Sequence, residues 1–178
     1  MRLDRTGPVV SYSITAPSNA GSYDVGQLIT LSYSGSDPDN VASISAMLDS
    51  ATAINSGGLI NTETLAAGVH TIVITAKDGL GNVSTTTITI QVHSTVAGLT
   101  TAVNDGSKSA KITSSTVATQ LLSYLASAQN ALNAGNHTSA KSYLASFVGL
   151  VQSQSGVSIS SAYATLLINW ANDLISRL

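Results

Sequence analysis

Thr86-Thr87-Ile88-Thr89-Ile90-Gln91-Val92-His93-Ser94 is where this chain changes its hydrophobic period. Ile88, Ile90 and Val92 alternate with polar neighbours, the pattern of a strand buried on one face. Past Ser94 the spacing lengthens. Val117, Leu121, Leu125, Ala128 and Leu132 follow i, i+4, i+8, i+11 and i+15, the apolar stripe of an amphipathic helix. Ala140, Leu144, Phe147, Val148 and Val151 form a second such stripe, and Tyr163, Leu167, Trp170, Leu174 and Leu178 a third.

Upstream of the switch the two-residue period recurs. Ile29, Leu31 and Tyr33 share one face, as do Ile44, Ala46 and Leu48, and Ile72, Ile74 and Ala76. Val10–Ile14 reads as the first strand, and weaker candidates lie at 51–55 and 59–65. Asp37-Pro38-Asp39-Asn40, Ser56-Gly57-Gly58, Ala67-Gly68 and Asp78–Asn82 separate them as turn signals. Six or seven strands in about 90 residues predict an antiparallel sandwich. Downstream, Gly135 and Gly156 suit left-handed helix ends. Ser114 or Ser115, Asn136 and Ser160 are the expected N-caps, and residues 95–105 are expected to add a short leading helix around Leu99 and Val103. Each stripe is too narrow to be stable alone, so the helices must pack together. The expected architecture is two domains: an all-β antiparallel sandwich over 1–93, with 1–7 as a junction, then an all-α bundle of three to four helices over 94–178.

Composition narrows the function. Charged residues are 9% of the 178-residue chain, against about 25% in ordinary domains, and the net charge is -2. The chain lacks the basic surplus that nucleic acid demands, so no nucleic-acid partner is expected. Its 28 Ser and 20 Thr, with a single Glu, make a surface solvated by hydroxyls. That suits an extracellular or cell-surface setting. Cysteine is absent, which removes disulfides, thiolate metal sites and cysteine nucleophiles. No apolar run reaches the ~20 residues a membrane helix needs, so membrane insertion is not expected. The first five residues lack the apolar stretch of a signal peptide, and the chain reads as a fragment of a larger protein.

Two resemblances follow from particular residues. Leu65-Ala-Ala-Gly-Val-His-Thr-Ile-Val-Ile-Thr-Ala-Lys-Asp-Gly-Leu-Gly-Asn-Val83 resembles the closing strand–turn–strand of bacterial Ig-like repeats. Asp37–Asp49 is similar to the middle of such a repeat, and Asp4-Arg-Thr-Gly-Pro8 to the junction that precedes one. In the second half, Leu132-Asn-Ala-Gly-Asn136, Ala140-Lys-Ser-Tyr-Leu-Ala-Ser-Phe-Val148, Val151-Gln-Ser-Gln-Ser-Gly156 and Ile159-Ser160 resemble the FIMAH domain, a small helical module at the C-termini of multidomain secreted microbial hydrolases. The resemblance implies a non-catalytic accessory region: a spacer or docking Ig-like module and a helical interaction module. Ser, Thr and Asn stand where charges are expected on the family's surface, and no catalytic residue carries over. The expected partners are other domains of the parent protein or a surface polysaccharide. One alternative is a subunit of an extracellular surface assembly or filament, joined through exposed strand edges; the other is a polysaccharide- or wall-binding module stabilised by calcium.

The residues support no reaction. His70, His93 and His137 lie in separate predicted elements without metal-ligand spacing, and Gly-x-Ser-x-Gly and phosphate-loop motifs are missing. No enzyme activity and no resident cofactor are expected. Calcium is the one ion to consider. Asp37, Asp39 and Asn40 lie within four residues, and Asp78 and Asn82 form a second oxygen-rich turn. A calcium ion takes six to eight oxygens, several from carboxylates. The same residues also serve as Asx turns, whose side chains accept from nearby backbone N–H groups. Among the aromatics, Tyr143, Tyr163 and Trp170 read as core, while Tyr124 is the tyrosine expected to be exposed.

Overall fold

A computed structural model describes residues 4–15 and 21–178. Residues 1–3 of the expected junction lie outside this range. The chain divides into two compact units.

The first unit is built on strands β1 (Val9–Thr15), β2 (Ser22–Asp24), β3 (Leu28–Ser36), β4 (Val41–Leu48), β5 (Thr52–Ile54), β6 (Gly58–Asn61), β7 (Gly68–Asp78) and β8 (Val83–His93). They make two sheets, ordered β1-β3-β6 and β2-β8-β7-β4-β5. β1 with β3, β3 with β6, and β4 with both β5 and β7 pair antiparallel. Two sheets in which sequence neighbours are split between layers give the Greek-key order of an Ig-like sandwich. The two-residue period explains its interior. Ile29, Leu31, Ala46, Leu48, Ile72, Ile74, Ala76, Ile88 and Ile90 are all buried, and β-branched side chains suit such pleated faces.

Two local expectations need correction, and one strand is new. The candidate strand at 59–65 stops at Asn61, and Thr62–Thr64 form one turn of 3-10 helix. Gly68 begins β7 rather than a turn, with φ 134°. β2 carries too few residues to show a period and is an addition. Between β4 and β5, Asp49 and Ser50 both take positive φ, 49° and 58°, the handedness that a tight hairpin requires.

The second unit holds α1 (Val96–Lys108), α2 (Ser115–Asn133), α3 (His137–Gln154) and α4 (Ser161–Arg177). Caps stop and start them as their chemistry dictates. The Ser114 side chain accepts from the Val117 N–H at 3.3 Å, and Asn136 from Ser139 at 2.9 Å. Ser160 occupies the α4 N-cap without a side-chain bond. Thr95, not foreseen, caps α1 by accepting from Gly98 at 3.0 Å. Gly135 and Gly156 have φ 69° and 75°, the left-handed conformation that glycine adopts without a Cβ penalty. Neighbouring helices pack α1 on α2, α2 on α3, α3 on α4 and α4 on α1.

This unit also contains residues 24–27 and 62–68. Thr62, fully buried, donates its hydroxyl to the carbonyls of Asp24 and Gln27 and accepts from the Gln27 N–H at 3.0 Å. The Trp170 indole N–H donates to the Leu65 carbonyl at 2.8 Å, and the Ala67 N–H to Asn169 Oδ1 at 2.6 Å. Gly98 lets the segment approach: a Cβ there would stand 2.6 Å from the Val25 carbonyl oxygen. Trp170 is 0% exposed and meets Tyr163 edge-on, with ring centroids 6.2 Å apart. Tyr143, expected in the core, is 41% exposed: it flanks the α3 stripe instead of joining it. Tyr124 is half-buried.

Candidate metal site

The two acidic turns behave differently. Asp78 ends β7 on its inward-facing parity and is 1% exposed. Its carboxylate accepts from the N–H groups of Leu80 and Asn82, at 2.9 and 2.8 Å, and from the Asn82 side-chain amide at 2.7 Å. Burial alone would raise its pKa, but these bonds outweigh burial and hold it below the usual carboxylate range. Both oxygens are committed to the turn, and the Asn82 amide faces Asp78 as a donor.

The Asp37-Pro-Asp-Asn40 turn is open. Asp37 Oδ1 accepts from the Asp39 N–H at 2.8 Å, and Asn40 closes the turn at φ 77°. Asp4 joins it. The carboxylates of Asp4, Asp37 and Asp39 each place an oxygen within 4.8 Å of the others. A cleft of about 180 Å³, lined by Asp4, Thr6, Pro38 and Asp39, opens beside them. Thr6 donates to Asp4 Oδ1 from its hydroxyl at 2.7 Å and from its N–H at 3.0 Å. Those bonds lower the Asp4 pKa. Asp39 is pushed up, first by sharing a hydrogen bond with Asp4, then by burial and by the charges of Asp4, Asp37 and Asp78.

The structure therefore places Asp37 and Asp39 together, sets Asn40 in the backbone of their turn, and puts Asp78 and Asn82 in a second turn that adjoins the first, the Gly79 N–H donating to the Asn40 carbonyl at 3.2 Å. Asp4 went unread as a ligand candidate because 33 positions separate it from Asp37. Strand register carries the missing signal. Val9 pairs with Ser36, so the residues before β1 must meet those after β3. Three carboxylates this close repel one another, and a shared proton or a hard cation relieves that repulsion.

Several other ionisable groups bond within the fold. His70, in the buried face of β7, bonds Asp49 Oδ2 through Nδ1 at 2.6 Å. Asp49 also accepts from the Thr71 N–H at 2.9 Å. Burial works against the charged form of Asp49, yet these bonds keep its pKa low. Asp173 accepts from the Ser94 N–H at 2.8 Å and pairs with Arg177, which also donates to the Ser94 carbonyl. Tyr163, its hydroxyl on the Ala102 carbonyl at 2.6 Å, is buried with its pKa raised.

No helix among the described residues is long and apolar enough to cross a membrane. Comparison with known proteins gives three findings. None of the curated proteins matches the chain. Among solved structures, the PKD1 domain of Vibrio anguillarum Epp is similar at 20% identity and a TM-score of 0.37, covering 52% of this chain and 100% of that domain. Residues 96–176 match the family model of the FIMAH domain. The region that holds α1–α4 thus matches the FIMAH domain, and the strands before it form an Ig-like sandwich.

Proposed function

We propose that this chain is a non-catalytic accessory region of an extracellular or surface protein. The Ig-like unit serves as a spacer or docking module and the FIMAH domain as an interaction module. The FIMAH match carries the reading. The use of the titratable groups supports it: His70, Asp49, Asp78 and Asp173 bind backbone and one another, which suits rigidity better than turnover. Incubating the purified chain with polysaccharide and peptide substrates should release no product. A rate lost on His70→Ala or Asp49→Ala substitution would overturn the proposal. Pull-down on insoluble polysaccharides then separates docking to a polysaccharide from docking to other domains of the parent protein.

The three-carboxylate cluster favours a calcium-stabilised form of this module. Asp4, Asp37 and Asp39 would supply the carboxylate oxygens, and water the remainder of the six to eight that calcium takes. Binding at a hundredfold excess over the dissociation constant would add about 2.7 kcal/mol to the sandwich. Its melting temperature should rise in millimolar calcium relative to EGTA, and Asp39→Ala should abolish the rise. Identical melting curves in the two buffers would leave these residues as turn-formers.

A further inference from the structure

β1 and β3 carry the same short pattern, Ser11-Tyr12-Ser13 and Ser32-Tyr33-Ser34, and they pair with Tyr12 opposite Tyr33 and serine opposite serine. β1 is the terminal strand of its sheet, so its other edge has no strand beside it among the described residues. The main-chain bonds of β3 reveal what that edge presents. Tyr33 donates its N–H to Ser56 Oγ at 2.8 Å and accepts from the same hydroxyl at 2.7 Å. The Leu31 carbonyl accepts from the Gly57 N–H at 2.8 Å. Tyr33 therefore points its main-chain groups away from β1, and Tyr12 and Tyr33 are a non-hydrogen-bonded pair. Antiparallel ladders alternate, so Tyr12 turns its N–H and C=O to the outer edge, as do Val10 and Ile14 two residues to either side.

We infer that this edge is a docking site for a second copy of the chain, β1 against β1, antiparallel about Tyr12. The occupant follows from the strand itself. Val10-Ser11-Tyr12-Ser13-Ile14 reads nearly the same in both directions. A two-fold axis at Tyr12 sets Val10 opposite Ile14, Ser11 opposite Ser13 and Tyr12 opposite its own copy. The three outward-facing residues of each strand then meet as hydrogen-bonded pairs, and all six N–H and all six C=O groups find partners. Tyrosine opposite tyrosine and serine opposite serine repeat what β1 already accepts from β3. Edge strands are ordinarily guarded by lysine, proline or a bulge, and Val9–Thr15 contains none of these. Tyr12 is 50% exposed at the centre. Such a contact is isologous and closes on itself, producing a dimer and not a filament. It is small, which puts it among weak, concentration-dependent interfaces.

Sedimentation of the full chain from about 10 µM to about 1 mM tests this. The wild type should pass from monomer to dimer, and a chain that stays monomeric throughout overturns the inference. Tyr12→Lys places like charges across the axis and should abolish the dimer, as should Tyr12→Glu. Mixing the two variants should restore a mixed dimer, because only a two-fold contact at residue 12 brings unlike charges together. Tyr12→Pro removes an N–H that points to the outer edge, leaves the β3 ladder whole, and should also yield a monomer with an unchanged circular dichroism spectrum. A dimer that survives Tyr12→Lys, or variants that fail to associate when mixed, refute the pairing.

Discussion

Replacing Trp170 by Phe tests how the second unit is held together. The substitution keeps an aromatic ring in a fully buried position and removes the N–H that satisfies the Leu65 carbonyl. A buried acceptor stripped of its donor costs about 1–3 kcal/mol. The lost ring adds a packing deficit, bounded by the roughly 3–5 kcal/mol of truncating a large aromatic to alanine. Taking about 2 kcal/mol, the midpoint of a unit near a hundred residues falls by roughly 10 °C. The loss should have a local signature. Ala67 N–H bonds Asn169, the neighbour of Trp170 in sequence, so both residues grip the 62–68 segment. Hydrogen exchange at Ala67 should quicken in Trp170→Phe, and Asn169→Ala should add less than its separate cost, since contacts sharing one element are not additive. Scanning calorimetry and amide exchange measure both. An unshifted midpoint with unchanged exchange at Ala67 would refute the claim that this segment belongs to the helical unit.

Other predictions concern particular atoms. Glu63, buried and near the charge of Asp105, has a raised pKa that Lys111 and Lys108 only partly offset. Its folded pKa exceeds the unfolded value of about 4.5, so its contribution to stability is complete below that pH and is lost as pH rises through the folded pKa; Glu63→Gln should flatten that part of the melting profile. Asp49 has the opposite sign, with a contribution present above pH 3.8 and lost as pH falls through its depressed pKa, and calorimetry of Asp49→Asn checks it. Gly106→Ala would set a Cβ 2.4 Å from Tyr163 Cε1 and should destabilise the helices by about 1–3 kcal/mol in urea denaturation. Thr62→Val keeps the shape but leaves the Asp24 and Gln27 groups without their hydroxyl partner, costing about 1–3 kcal/mol by the same assay.

Local pattern alone determined the two-part architecture of this protein. Ile88, Ile90 and Val92 face inward because strand side chains alternate, and Leu121, Leu125 and Ala128 because helical side chains return every three to four residues. Ser114, Asn136, Gly135 and Gly156 mark helix ends for equally local reasons: a short side chain reaches the next turn's N–H, and glycine bears positive φ. Only the tertiary structure decided which distant residues meet. Asp4 reaches Asp37 and Asp39 through the register of β1 on β3. The 3-10 turn at Thr62–Thr64 replaces the end of a candidate strand in the segment that gives Trp170 its hydrogen-bond acceptor at Leu65. Tyr143 lies at the margin of its helix stripe, where spacing is ambiguous and the neighbouring helices settle exposure. The outward-facing groups of β1 are likewise invisible in sequence, since hydrogen-bond parity depends on which strand lies beside it and on how Ser56 occupies the far edge of β3. Period and capping are properties of a few consecutive residues, whereas register, carboxylate clustering and strand edges arise only when separated segments are brought side by side.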